Sequence, residues 1–193
     1  VISFFIIAAS ISLFSLYGFI AAPDGPLLFF TALFLLAYRK FIRNPDWGTV
    51  FLLSISMAAM IYSKYQAVLV IGFTILSTLK LLKSVRFWLA GIFALLILIP
   101  HFHWQLANDF PSFQYHLVDR SEGFKLGCLL EYLPNQLAVF NPLTIGAAVY
   151  IMFKNKPSGQ FERTLYLQIA GFIIFFFFIA IRGHVEPHWT IAC

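Results

Sequence analysis

The chain has 193 residues, of which 61% are hydrophobic, 11% are charged and 24 are phenylalanine. A soluble globule carries roughly a quarter charged residues, so a soluble fold is excluded for want of polar side chains to cover its surface. The net charge of +5 does not indicate nucleic acid, because the Lys and Arg residues sit at the ends of apolar runs and form no basic stripe interleaved with aromatics.

In chain order, uncharged or nearly uncharged stretches run Val1–Ala22, Pro26–Tyr38, Gly48–Tyr62, Tyr65–Leu79, Phe87–Pro100, about Leu133–Phe153 and Leu165–Ile181. About 20 apolar residues at ~1.5 Å each cross a ~30 Å hydrocarbon core. The pattern therefore predicts an all-α, polytopic transmembrane helix bundle with about seven spans. Pro26–Tyr38 and Phe87–Pro100 are short and must borrow flanking residues. Gly48–Tyr62 and Tyr65–Leu79 are either two spans or a tight helical hairpin that meets the interface at Lys64. The Phe-rich run Phe172–Phe178 reads as lipid-facing filler, and the stretch Phe124–Leu133 as a segment lying along the interface. No period of 20–50 residues recurs.

Alternating these spans sorts the charges. One side holds Arg39, Lys40, Arg43, Lys80, Lys83, Arg86, Lys154, Lys156 and Arg163 against Asp46 and Glu162, a net +7. The opposite side holds Lys64, Arg120, Lys125 and Arg182 against Asp24, Asp109, Asp119, Glu122, Glu131 and Glu186, a net −2. By the positive-inside rule the basic side is cytoplasmic. The expected location is the cytoplasmic (inner) membrane, multi-pass, with the chemistry facing the periplasm.

Four motifs lie on that outer side. Pro23-Asp24-Gly25-Pro26 ends one span and starts the next, setting a carboxylate beside a helix N-terminus. Asp24 is either a helix cap or the wall of a site. Tyr62-Ser63-Lys64-Tyr65 places a cation between tyrosines in a short loop, suited to a phosphate or to plain snorkelling. His101 to His116, followed by Arg120, mixes His103, Trp104 and Asp109 with amides and aromatics. Such a mixture suits a sugar, and single aromatics in it also suit the headgroup belt.

The fourth motif is Arg182-Gly183-His184-Val185-Glu186-Pro187-His188-Trp189. Its two histidines invite a metal, but the spacing is not His-Glu-x-x-His, and Pro187 prevents a regular helix from placing both on one face. No cofactor and no metal are expected, a divalent metal being the alternative. Cys128 and Cys193 have no metal spacing, and no disulfide is read from them.

Taken in order, Pro23-Asp24-Gly25-Pro26-Leu27, Ser63-Lys64-Tyr65, the stretch from His103-Trp104-Gln105 through Phe110-Pro111-Ser112-Phe113 with His116 and Arg120, and Glu186-Pro187-His188-Trp189 resemble bacterial dolichyl-phosphate-mannose protein mannosyltransferases. These are membrane glycosyltransferases of the GT-C class, related to the aminoarabinose transferases that modify lipid A. The resemblance implies transfer of a sugar from a polyprenyl-phosphate donor to a lipid, glycan or protein acceptor, by inverting displacement at the anomeric carbon. It implies that Lys64, Arg182 and His184 hold the donor phosphate. Asp24, Tyr65, His103, Trp104, Asp109, His116, Arg120, Glu186, His188 and Trp189 then shape the sugar and carrier pocket. In that family an acidic residue in an earlier outer loop serves as base. Residues 1–193 are thus expected to be one partial transmembrane glycosyltransferase domain, inactive alone, with its base before Val1. His188 stands where the family more often has Asn.

The alternatives are a polytopic transporter and a non-catalytic subunit that binds the lipid carrier. No ionisable residue lies in the middle of any apolar run, so a transport path has no stepping stones. Membrane lipids, the lipid-linked donor and the acceptor are the expected partners.

Overall fold

Pro23 has a φ of −63°, already helical, and opens helix α1, Asp24–Arg43. The computed structural model describes residues 23–110, 126–181, 185, 187–190 and 192; the first apolar run, Val1–Ala22, lies outside them. Helix α1 has Asp24 in its first turn and Lys40 and Arg43 in its last, matching the positive and negative ends of the helix dipole. It stops at Asn44, whose backbone is extended, as expected of a residue before proline.

Asp46 then caps α2, Trp47–Ser63. Thr49 N–H donates to the Asp46 carboxylate at 2.7 Å, and Asp46 N–H donates to the Thr49 hydroxyl at 3.0 Å. These reciprocal bonds satisfy donors that a helix start leaves open. They hold the Asp46 carboxyl below its ordinary pKa of 3.8, with Arg86 and Lys40 adding to the effect. A lowered folded-state pKa contributes stability above the unfolded value that is lost as pH falls through the folded one. Acidification below 3.8 should therefore loosen the start of α2. Asp46→Asn should remove that part of the acid sensitivity, which hydrogen exchange of the α2 amides between pH 5 and 2 would show.

Lys64 is extended and ends α2, and α3 follows as Ala67–Ser77. A 3-10 turn, Leu79–Lys83, leads to Ser84, which caps α4, Val85–Ala107. Beyond it come α5, Leu126–Phe140, α6, Pro142–Lys154, and α7, Gln160–Ala180. A 3-10 turn closes the described chain at Pro187–Thr190. Among the described residues there is no strand, so the all-α reading stands.

Helices α1, α4 and α7 are long and apolar enough to cross a membrane. Helices α2 and α3, with 17 and 11 residues, are apolar but shorter. The single run read as Leu133–Phe153 is instead broken: Leu130–Phe140 and Pro142–Lys154 meet at 94°. The cause is Asn141, which precedes proline and leaves helical space at φ 64° and ψ 124°, its side chain accepting from Leu143 N–H at 3.0 Å.

Packing follows the spacing of buried residues. On α1 these are Asp24, Leu27, Thr31, Phe34, Ala37, Tyr38 and Phe41, a stripe that recurs in three- and four-residue steps, and α1 packs on α2. Helix α2 also packs on α4, and α3 on α7. On α7 the buried row is Thr164, Gln168, Phe172, Phe176 and Ala180, one residue every four positions. The reading of Phe172–Phe178 as lipid-facing filler is thereby corrected. Phe178 is exposed, but Phe172 and Phe176 are core. Gly171 lets the Phe73 ring lie so near that an added Cβ would stand 2.7 Å from it, the close helix approach that small residues permit in membranes.

Buried polar groups join the helices at the basic end. Tyr38 Oη lies 3.0 Å from Thr78 Oγ1 and accepts from Thr164 Oγ1 at 3.1 Å, and Ser77 Oγ lies 2.6 Å from Thr164 Oγ1. Gln168 Nε2 donates to Val70 O at 2.7 Å and to Thr74 Oγ1 at 3.0 Å. Without water, such groups must find partners inside the protein.

Candidate functional site

The prolines that start α1 and the extended residue that ends α2 put two motifs, forty positions apart, at the same end of the bundle. There Lys64 Nζ donates to Asp24 Oδ1 at 2.7 Å. The Asp24 side chain is 3% exposed and that of Lys64 18%. Asp24 is thus both a first-turn acid and a partner for the loop cation. A carboxylate buried this deeply is tolerable because the ammonium neutralises it. The ammonium keeps two further donors.

Beside the pair, α4 supplies a second cluster. Pro100 removes a backbone donor within α4, and Tyr62 Oη donates to the carbonyl of Ile97 in the same turn at 2.9 Å. Tyr65 Oη lies 2.6 Å from His101 Nε2 and accepts from Gln105 Nε2. The His101 ring is met by Tyr62 with centroids 5.5 Å apart, by Tyr65 at 5.6 Å, and by Trp104, near-parallel at 6.5 Å. Trp104 is 52% exposed and Gln105 only 1%.

Of the residues predicted from sequence, the structure brings together Asp24, Lys64 and Tyr65, with Trp104 joined through His101. His103 is on the exposed side of α4. Asp109 lies just past the C-terminus of α4, exposed and in left-handed backbone at φ 57°. Trp189 is elsewhere: its ring packs against Phe176 of α7 at 5.7 Å, and the neighbouring Thr190 Oγ1 donates to Gln136 Oε1 of α5 at 2.6 Å. His188 belongs to the same 3-10 turn. Arg182, His184, Glu186, His116 and Arg120 lie outside the described residues. Among the described residues no three His, Cys, Asp or Glu side chains converge as metal ligands would.

Sequence reasoning passed over His101 and Gln105 as site residues. They stand four apart on α4, so they share a face, whereas His103 is two positions from His101 and points away. The helical spacing His101-x-x-x-Gln105 beside Pro100 was the signal.

No curated protein and no solved structure matches the chain. Residues 1–104 match the family Dolichyl-phosphate-mannose-protein mannosyltransferase, a stretch that includes Asp24, Lys64, Tyr65, His101 and Trp104. That family consists of membrane glycosyltransferases that draw on a polyprenyl-phosphate-linked sugar, in keeping with the three helices among the described residues that are fit to cross a membrane and a polar cluster gathered at one end of the bundle. The match covers more than half of the chain, and the chain belongs to the dolichyl-phosphate-mannose-protein mannosyltransferase family.

Proposed function

We propose that this protein transfers a sugar from a polyprenyl-phosphate donor to a lipid, glycan or protein acceptor at the periplasmic face of the cytoplasmic membrane. The observation that carries the reading is the Asp24–Lys64 pair, a buried carboxylate holding a partly exposed ammonium at the end of the bundle opposite the basic loops. In the reaction the acceptor hydroxyl oxygen bonds to the anomeric carbon as the bond from that carbon to the phosphate oxygen breaks. The polyprenyl phosphate leaves with the electron pair, and the hydroxyl proton passes to a base.

Charge grows on the leaving phosphate, and Lys64, with Arg182 and His184, stabilises it there. Asp24 orients the ammonium by accepting a hydrogen bond from it. Trp104 and Tyr65 flank the sugar, and Asp109, His116, Arg120 and Glu186 complete the pocket for sugar and carrier, whereas His103, on the exposed side of α4, and Trp189, packed on Phe176 with His188 in the same turn, stand apart from it. The chemistry as written calls on no metal.

The reading is tested by turnover: membranes carrying the full-length protein should release polyprenyl phosphate from a polyprenyl-phosphate sugar, and absence of release from every such donor would contradict it. The face is tested separately. With Cys128 and Cys193 changed to Ser, Asn108→Cys should react with an impermeant thiol reagent added to intact cells with a permeabilised outer membrane. Labelling only after the inner membrane is opened would reverse the orientation.

A further inference from the structure

His101 is half-buried in α4, and its hydrogen bonding favours one tautomer. The 2.6 Å separation between Tyr65 Oη and His101 Nε2 is short for N–H···O, where about 2.9 Å is usual, and fits a hydroxyl donor. The Tyr65 oxygen meanwhile accepts from Gln105 Nε2, so the chain of donation runs from Gln105 to Tyr65 to His101. Gln105 is 1% exposed, which fixes the first link of that chain in the protein interior. A neutral imidazole that accepts at Nε2 carries its proton on Nδ1. Among the described residues Nδ1 has no hydrogen-bond partner.

The ring that bears this donor is not loose. Tyr62 and Tyr65 bracket it, and Trp104 lies near-parallel to it with its own indole half-exposed. A fixed N–H donor beside a flat aromatic wall suits a sugar, whose ring face is apolar and whose rim is hydroxylated.

We propose that Tyr65 and Gln105 hold His101 as the Nδ1-protonated imidazole and that Nδ1–H donates to a hydroxyl of the transferred sugar, against the ring of Trp104. This rests on the lipid-linked sugar donor read above. His101 is then a sugar-binding residue, and Tyr65 and Gln105 are its positioning residues. The contact is to the sugar and not to the carrier phosphate, which belongs to Lys64.

The test compares His101→Gln with His101→Asn. Asparagine places an amide N–H close to where Nδ1 stands, and glutamine places one close to Nε2. His101→Gln should raise KM for the polyprenyl-phosphate sugar about tenfold, the scale of one hydrogen bond, and His101→Asn should recover most of that loss. Inhibition by sugar-free polyprenyl phosphate should be the same in wild type and both variants. Equal KM in His101→Gln and wild type would overturn the proposal, as would weakened inhibition by polyprenyl phosphate in parallel with KM. A full-length wild-type protein that turns over no donor would instead sink the donor reading.

A measurement independent of turnover separates the two failures. Nitrogen-15 spectra of histidine-labelled protein should show a neutral, Nδ1-protonated imidazole that is absent from His101→Asn and loses its single tautomer in Tyr65→Phe. An Nε2-protonated signal for His101 would overturn the proposal even if turnover behaved as expected.

Discussion

Replacing Lys64 by methionine should lower the stability of the protein in detergent by about 3 kcal/mol, the low end of what removal of one partner from a buried ion pair costs. The low end applies because the Lys64 side chain keeps 18% exposure. The loss arises chiefly from Asp24, which is 2% exposed and would be left without its ammonium. Asp24→Asn should cost less, since Lys64 can turn its charge toward the interface. The double variant Asp24→Asn with Lys64→Met should regain most of the loss, because neither charge then remains to be solvated. A thermal midpoint for each of the four proteins measures the coupling. Additive losses would mean that the pair contributes no coupling energy.

The second large effect lies on α7. Phe172 is fully buried and its ring meets that of Phe73 edge to face at 5.6 Å. Phe172→Ala should destabilise by about 2 kcal/mol, less than the ~3–5 kcal/mol of a soluble core, because lipid is as apolar as the interior and only the packing and cavity terms remain. Phe178→Ala, at a position 61% exposed, should leave the midpoint nearly unchanged. Equal effects of the two substitutions would contradict the facing of α7 described above.

That contrast shows what a membrane sequence displays and what it hides. Charge is legible because an ion is costly in hydrocarbon, so Lys and Arg mark where helices end. The sorting of basic residues accordingly matches the two ends of the bundle, with Arg39 over the Phe161 ring and Arg86 donating to Pro45 O at one, and Asp24 with Lys64 at the other. Facing is much less legible, because the core and the lipid favour the same side chains. Six residues apart, Phe172 and Phe178 read alike and sit oppositely.

The break at Asn141 was written in the Asn-Pro pair but was masked by the apolar length of the run. In the candidate site, Asp24 and Lys64 were legible as isolated ionisable residues at turns, and their meeting follows from the hairpin of α1 and α2. His101 and Gln105 were not, because their role depends on the register of α4 against the end of α2. Tyr65 supplies that register through its bonds to both.

The most direct measurement is turnover of a polyprenyl-phosphate sugar by the full-length protein carrying the double variant Asp24→Asn with Lys64→Met. If Lys64 stabilises the leaving phosphate, this protein should keep most of the wild-type stability and yet release polyprenyl phosphate at least a hundredfold more slowly, the scale of one lost charge-stabilising donor. Release at the wild-type rate would show that the pair only holds the helices together, and would contradict the account.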